Sequence, residues 1–209
     1  MRADAVTIDA YGTLLTLEDP VPRLRAALAA HGEERDDETV ARAFAAEVEH
    51  YVPRSHEGRD EATLALLRRD CAAVFLAAAD ARVDPDAFVD DFTAALVFRA
   101  LPGAEEACRA LAAAGLRLAV VSNWDVGLHE HLARLGLDAL VAAAVTSAEA
   151  GAPKPEPAIW RLALERLGAE PGRCVHVGDS PADEEGARAA GLAFEPAPLA
   201  AAAQRILAG

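Results

Sequence analysis

Short apolar runs recur at the start of the chain and through its second half. Each is bounded by turn or polar residues, which is typical of buried strands in a parallel sheet. The pattern therefore predicts five strands. They are AVTI (5–8), LRLAVVS (116–122), ALVAAAVT (139–146), RCVHVG (173–178) and a weaker run, LAF (192–194).

Between these runs the apolar positions follow helical spacing. Each helical segment ends at a glycine, the preferred residue just beyond a helix C-terminus. Strands that alternate with helices in this way indicate an α/β fold, a parallel sheet covered by helices on both faces. The predicted helices are GAEEACRALAAAG (103–115), DVGLHEHLARLG (125–136), PEPAIWRLALERLG (155–168) and PADEEGARAAG (181–191).

The stretch 17–98 interrupts this alternation. Its apolar residues recur at helical spacing in about four segments, with a polar, glycine-containing connector at 54–60 that reads as a surface loop. We therefore predict that 1–16 and 99–209 form one core domain and that 17–98 form an inserted helical domain.

Composition limits the class of partner. The formal net charge is −14, and nucleic-acid binding requires clustered basic residues, so a small molecule is the expected ligand. The N-terminal residues contain acidic groups before any apolar run, and no uncharged run approaches the length of a membrane span. The three cysteines are far apart and fit neither a disulfide framework nor a zinc site. We expect a cytoplasmic protein with no membrane partner, either a monomer or a homodimer.

Polar residues follow the apolar runs at the points where ligands bind in parallel sheets, the carboxyl ends of the strands. Asp9 follows the first run, Ser122 to Asp125 the second, and Asp179 and Asp183 the fourth. Singly, each fits a turn or a helix cap. Together, carboxylates at one sheet edge repel one another unless a cation lies among them, and hard oxygen ligands suit Mg²⁺.

Lys154, in the loop beyond the third run, is the one lysine among 20 basic residues. A compact ammonium with three rotatable donors can contact a carboxylate and a phosphoryl oxygen together, whereas a guanidinium presents a larger, fixed fork. We interpret this single departure from arginine as a geometric requirement of the site, against the alternative of a stray surface lysine.

The segments IDAYGTL, VVSN, APKPEP and VGDSPADEEGARAAG resemble, in order, the four motifs of the haloacid dehalogenase (HAD) superfamily. The resemblance covers the whole chain, because the helical insertion looks like the C1 cap of subfamily I. It implies a Rossmann-like three-layer core with a five-stranded parallel sheet ordered 5-4-1-2-3, with an α-helical cap.

The resemblance also implies site roles. Asp9 matches the nucleophile, and Ser122 and Lys154 match the residues that hold the transferring group. The implied Mg²⁺ ligands are Asp9, the backbone carbonyl of Tyr11, and Asp179, with Asp183 as a further ligand or a supporting residue. Thr13 and Asn123 match positions that shape the substrate pocket.

One departure from the family pattern concerns Tyr11. Most phosphatases of the family carry a general acid and base, a second Asp, at this position. The word DAYGTL instead resembles the 2-haloacid dehalogenase branch, in which halide leaves without an acid. Asp179, where metal-independent dehalogenases carry Ser, and Trp160, where they carry Tyr, point back to the phosphatases.

Three hypotheses follow: a Mg²⁺-dependent phosphatase acting on a small phosphorylated metabolite through an aspartyl-phosphate, slow because of Tyr11; a metal-independent 2-haloacid dehalogenase; or a phosphometabolite-binding protein with weak turnover. Asp125 and His56 are candidates for a replacement acid. Arg54, His56 or Arg59 in the cap connector are expected to meet the anionic end of a substrate.

Overall fold

The computed structural model describes residues 3–209. Residues 1 and 2, which the sequence assigns to the core, lie outside the described part. The strands are β1 (Ala5–Ile8), β2 (Leu15–Leu17), β3 (Phe98–Ala100), β4 (Arg117–Ser122), β5 (Ala143–Thr146), β6 (Cys174–Gly178) and β7 (Ala193–Pro196). The helices are α1 (Val21–Ala30), α2 (Asp37–Tyr51), α3 (Glu61–Ala78), α4 (Pro85–Ala95), α5 (Ala104–Ala113), α6 (Leu128–Arg134), α7 (Ser147–Ala150), α8 (Pro157–Leu167), α9 (Pro181–Ala189) and α10 (Leu199–Ala208).

The main sheet is parallel and has the order β5-β4-β1-β6-β7. Counted among these strands alone, and starting from β7, this is the predicted order 5-4-1-2-3. β1 lies at the centre and is buried on both faces. Ile8 at its carboxyl end is in register with Val120 of β4 and Val177 of β6. This register brings the loops that follow β1, β4 and β6 to one edge.

Helices cover both faces of this sheet. Alternate β4 residues, Ala119 and Val121, pack in one apolar cluster with Ile159 and Trp160 of α8. Leu118 and Val120 are also buried and point to the opposite face, because side chains alternate along a strand. α5 and α10 contact each other, and α5 contacts β4 while α10 contacts β6. The predicted three-layer α/β architecture is confirmed.

The chain divides into two compact units. One comprises the chain up to Thr16 together with Arg99–Gly209, and the other comprises Leu17–Phe98. The second unit consists of α1 to α4 around a core that includes Leu28, Phe75 and Phe88. None of the described helices is long and apolar enough to cross a membrane.

The starts of three helices in the second unit follow from the sequence. The side chains of Asp36, Asp60 and Asp84 each accept a hydrogen bond from a backbone N–H in the first turn of α2, α3 and α4. Such N-caps satisfy donors that a helix start leaves unpaired, and they fix where each helix begins.

The structure differs from the prediction in several segments. The run 139–146 is a strand only over β5, because Asp138–Leu140 forms a 3₁₀ helix. The connector 54–60 is not wholly a surface loop: Val52–Glu57 is a 3₁₀ helix and Ser55 is buried. The sequence reading also missed α10 and the two-stranded sheet of β2 and β3.

Glu47 on α2 is a carboxyl group buried in the helical unit, with a side chain 4% exposed. Burial raises the pKa of Glu47 to about 7, and a hydrogen bond with Cys71 only partly opposes this. When folding raises the pKa of a carboxyl group, the folded protein keeps the proton over a range of pH in which the unfolded chain has lost its proton. Its stabilising contribution is therefore full below pH about 4.5 and is lost as the pH rises through about 7.

We expect Glu47→Gln to remove this loss, raising the free energy of unfolding at about pH 8 by up to about 3 kcal/mol relative to the wild type and changing it little at about pH 5. Urea unfolding followed by circular dichroism at the two pH values measures the difference. Glu49→Gln, on an exposed position of the same helix, is the matched control and should keep the wild-type pH dependence.

Candidate active site

The site is built where β1, β4 and β6 end. The backbone N–H of Asp9, just after β1, donates to the carbonyl of Val177 on β6 at 2.9 Å, which continues the strand pairing one residue into the loop. Ser122 is the last residue of β4, and its Oγ donates to Oδ1 of Asp9 at 3.2 Å. Asp9 is thus fixed from both neighbouring strands.

Lys154 is buried at this edge, 6% exposed, and reaches it from the loop between α7 and α8. Its Nζ donates to Oδ1 of Asp9 at 2.5 Å, to Oδ1 of Asp183 at 2.5 Å and to the carbonyl of Val121 at 3.1 Å. Although burial alone would lower the pKa of Lys154, the charges of Asp9 and Asp183 raise it above its usual value. The three acceptors match the three donors of an ammonium, whereas a guanidinium would present a larger, planar fork.

Asp183, in the first turn of α9, is engaged through both carboxylate oxygens. Oδ1 accepts from Lys154 and from Nε2 of His176 at 3.1 Å, and Oδ2 accepts from the backbone N–H and the hydroxyl of Ser180 at 3.1 and 2.5 Å. Burial alone would raise the pKa of Asp183, but the hydrogen bond from His176 and the charge of Lys154 lower it. Asp183 is thus an ionised group that holds the ammonium.

Three carboxylates could share a metal ion. Oxygens of Asp9, Asp179 and Asp183 lie within 4.8 Å of one another. Burial, the largest influence, raises the pKa of Asp9; Lys154 opposes the rise and the charge of Asp183 adds to it. Burial and the same neighbouring charge raise the pKa of Asp179. Three carboxylates against one ammonium leave two negative charges, which a divalent cation would balance, so the donor set fits Mg²⁺.

Asp179 lies against the backbone of Gly12. A Cβ at Gly12 would come within 2.1 Å of Oδ2 of Asp179, and the φ angle of Gly12 is +85°, which favours glycine. Tyr11, the residue before Gly12, has a side chain 53% exposed whose ring lies 6.4 Å from that of Trp124. The tight turn after Asp9 therefore lets the exposed carboxylate of Asp179 lie close to the carboxylate of Asp9.

Asn123 and Thr13, predicted to shape the pocket, differ in what they contact. The Asn123 side chain accepts from the backbone N–H of Lys154 at 2.6 Å and donates to its carbonyl at 3.2 Å, so it fixes the lysine loop. Thr13 is buried, and its hydroxyl has no hydrogen-bond partner among the described residues. An orphaned buried hydroxyl is a group that a bound ligand can satisfy.

The remaining predicted residues are placed as follows. Asp125 is buried, and its Oδ1 accepts from the backbone N–H of Gly127 at 2.7 Å, just before α6. Arg54 and His56 lie on the 3₁₀ helix of the other compact unit, where the Arg54 guanidinium donates to the carbonyl of His50 at 2.9 Å. Arg59 donates its backbone N–H to Thr63. The contact of Arg54 and His56 with substrate stays a prediction.

Sequence reasoning missed three residues of the site: Gly12, Gly178 and His176. Gly12 and Gly178 lie inside two of the quoted motifs. A glycine next to a predicted site carboxylate was the available signal, because it indicates that the carboxylate approaches the backbone closely. His176 was read only as part of a strand, although a histidine within an apolar β run is unusual enough to suggest a buried hydrogen-bonding role.

Gly178 offers a test of how tightly Asp183 is held. A Cβ at Gly178 would lie 2.5 Å from both Cβ and Cγ of Asp183, so Gly178→Ala must displace that carboxylate. We expect about 1–3 kcal/mol of destabilisation and at least a tenfold lower turnover, on the order of what small misplacements of a site produce. Thermal unfolding and steady-state kinetics measure both.

Gly172→Ala is the matched control for Gly178→Ala, because the added methyl meets no atom within 4 Å and the backbone is not in the left-handed region. It should leave turnover and stability close to those of the wild type. Equal losses in the two variants would contradict the displacement of Asp183.

An α/β sheet whose carboxyl edge gathers a buried carboxylate, a hydroxyl, an ammonium and further carboxylates defines a hydrolase of the Rossmann-like class. The chain matches the haloacid dehalogenase-like hydrolase family over residues 3–191 and belongs to it. The superfamily assignment made from the four motifs is confirmed.

Two curated relatives illustrate the similarity. The chain is 41% identical over 108 residues to haloacid dehalogenase-like hydrolase domain-containing protein 3 of Mus musculus, a match covering 51% of this chain and 43% of that protein. It is 36% identical over 185 residues to a phosphoglycolate phosphatase of Rhodospirillum rubrum, covering 88% of this chain and 69% of that protein. The match thus spans less than half the length of the first of these relatives.

Among solved structures, a β-phosphoglucomutase-like protein of Thermotoga maritima superposes with a TM-score of 0.71 at 19% identity, covering 100% of this chain and 99% of that one. This likeness shows the fold alone. HAD phosphatases and 2-haloacid dehalogenases both occur among the similar structures.

Proposed function

We propose that this hydrolase is a Mg²⁺-dependent phosphatase that acts on a small phosphorylated metabolite through Asp9. The observation that carries the proposal is the contact of the Lys154 ammonium with Asp9 and Asp183 in a cluster with two uncompensated negative charges. The 36% identity to a phosphoglycolate phosphatase supports the phosphoester class.

Asp9 and Asp179 would hold the cation, with the Tyr11 carbonyl as the third ligand that the family resemblance implies. Both oxygens of Asp183 are engaged by protein donors, so we assign it to Lys154 instead. A bound Mg²⁺ would offset the charge of the phosphoryl oxygens and keep the carboxylates ionised.

In the first step, an Asp9 carboxylate oxygen attacks phosphorus, and the bond to the leaving oxygen breaks with its electron pair going to that oxygen. In the second, water attacks phosphorus, which releases inorganic phosphate and restores the Asp9 carboxylate. Lys154 and Ser122 both contact Oδ1 of Asp9, so they lie beside the reacting carboxylate and would stabilise the negative charge of the phosphoryl group through the reaction.

Tyr11 affects the first step. With tyrosine where family phosphatases carry an acid, no carboxyl group at that position protonates the leaving oxygen, a loss worth about 10² to 10⁴ in rate. We therefore propose that the enzyme is slow with alkyl phosphates and faster with leaving groups that need no proton.

The test compares p-nitrophenyl phosphate with an alkyl phosphate such as glycerol phosphate, each with Mg²⁺ and with EDTA. We expect hydrolysis only with Mg²⁺ and at least a tenfold preference for the nitrophenyl ester. Hydrolysis that survives EDTA, or phosphate release from neither ester, would contradict the proposal.

A second candidate is 2-haloacid dehalogenation, which one observation favours: Tyr11 replaces the acid, and halide needs none. Chloride release from 2-chloropropionate in EDTA would establish it in place of the phosphatase. A third outcome, binding of phosphometabolites without turnover of any ester, would indicate the binding-protein hypothesis.

A further inference from the structure

His176, on β6, occupies a position in the core that the chemistry above does not use. Its side chain is fully buried, and both ring nitrogens are engaged. Nδ1 lies 2.9 Å from the hydroxyl of Thr7 on β1, and Nε2 lies 3.1 Å from Oδ1 of Asp183 on α9. The ring thus connects the central strand to the carboxylate that holds Lys154.

The acceptors fix which nitrogen carries the proton. An ionised carboxylate only accepts, so Nε2 must donate to Asp183. Nδ1 of a neutral ring then accepts from the Thr7 hydroxyl. Burial lowers the pKa of His176, although the hydrogen bond to Asp183 opposes this, so the neutral form is favoured. The chain of contacts runs Thr7, His176, Asp183, Lys154, Asp9.

Aromatic rings enclose the imidazole. The Trp160 ring packs nearly perpendicular to it, at a centroid distance of 4.6 Å and an angle of 84°, and the centroid of the Phe194 ring lies 6.3 Å away. Water is therefore kept from the ring, and the hydrogen bond to Asp183 operates in a low-dielectric interior where it is strong and directional.

We propose that His176 is a positioning residue of this hydrolase: its Nε2–H, oriented by Thr7, holds Asp183 against Lys154 and so places the ammonium on Asp9. The expected effect on turnover rests on the proposed function. The hydrogen bond from His176 to Asp183 does not depend on that function. Removing a group that orients a metal ligand typically costs about 10- to 100-fold in affinity or activity, and we expect an effect of the same order for a group that orients Asp183.

The kinetic test uses three variants of the full chain. His176→Leu keeps the bulk and removes the donor, and we expect kcat to fall about 10- to 100-fold with KM within about threefold, because the ammonium acts on the transition state. His176→Gln keeps an N–H near the Nε2 position and should recover most of that loss. Thr7→Val should reproduce part of it, whereas Thr7→Ser should not.

Leu167→Ala is the packing control. Leu167 is buried in the apolar cluster that contains Trp160, and its side chain makes no polar contact in the site. If His176 only fills the core, His176→Leu and Leu167→Ala will lower the melting temperature with kcat per folded molecule unchanged, and Gln will rescue nothing. That result would overturn the proposal.

A spectroscopic measurement separates this inference from the phosphatase proposal. In protein with nitrogen-15-labelled histidine, the His176 signals, assigned by their loss in His176→Gln, should show Nε2 protonated and Nδ1 bare, with slow exchange of the proton with water. A proton on Nδ1, or rapid exchange, would refute the positioning role even in an active enzyme. The expected spectrum in a protein without phosphatase activity would overturn the proposed function alone.

Discussion

Asp9→Asn is expected to lower phosphate release by at least about 10³-fold, because the amide oxygen cannot replace the carboxylate as the attacking atom. The variant should remain folded, since its side-chain oxygen can still accept from Ser122 and Lys154, while Lys154 keeps its contact with Asp183. Phosphate release under saturating ester with Mg²⁺, with circular dichroism on the same sample, measures both expectations.

Asp125→Asn is the matched control, a second buried carboxylate in the loops at the carboxyl edge of the sheet. Its amide oxygen can still accept from the backbone N–H of Gly127. We expect a loss well below the roughly 10²-fold that removal of a general acid causes. Full activity in Asp9→Asn would contradict the nucleophile assignment, and a large loss in Asp125→Asn would identify the missing acid.

Lys154→Met is expected to lower both turnover and stability. Turnover should fall at least about 10²-fold, the effect of removing one charge-stabilising donor. Without added metal, the free energy of unfolding should fall by about 3–5 kcal/mol, because Asp9 and Asp183 lose the cation between them while buried. Kinetics and urea unfolding in EDTA measure the two losses.

Lys154→Arg tests the interpretation of the single lysine. The side chain keeps its charge, but a planar fork cannot reach the three acceptors at once in a site 6% exposed. The turnover of Lys154→Arg should also be at least about 10²-fold lower than that of the wild type. Arg109→Met, which breaks an exposed helical pair with Glu105, is the surface control and should change stability by about 0.3–0.5 kcal/mol. A fully active Lys154→Arg would contradict the geometric requirement.

The fold could be read largely from the sequence because the core strands are short apolar runs with polar boundaries. The strand order followed from resemblance rather than from pattern. The helix α10 was missed since its residues, half of them alanine, follow a proline-rich stretch and show no clear boundary signal. β2 and β3 were missed because three-residue strands are too short for alternation to appear.

The motifs predicted which residues meet in the site. Asp9, Ser122, Lys154 and Asp183 do meet, since residues after neighbouring parallel strands converge on one edge. What each carboxylate contacts could not be predicted. The Asp183 side chain points inward and contacts Lys154, Ser180 and His176. This orientation requires that Gly178 has no Cβ, and it requires the buried His176 of β6 as a hydrogen-bond partner.

The measurement that tests the central claim most directly is the mass of the Asp9 peptide after rapid acid quench during turnover of p-nitrophenyl phosphate. The account predicts a mass increase of one phosphoryl group on the peptide that contains Asp9, lost on longer incubation and missing in Asp9→Asn. Turnover without that adduct, or an adduct on another peptide, would contradict it. Heavy oxygen from labelled water appearing in Asp9 itself would also contradict it, because water would then attack the acyl carbon of Asp9 and not phosphorus.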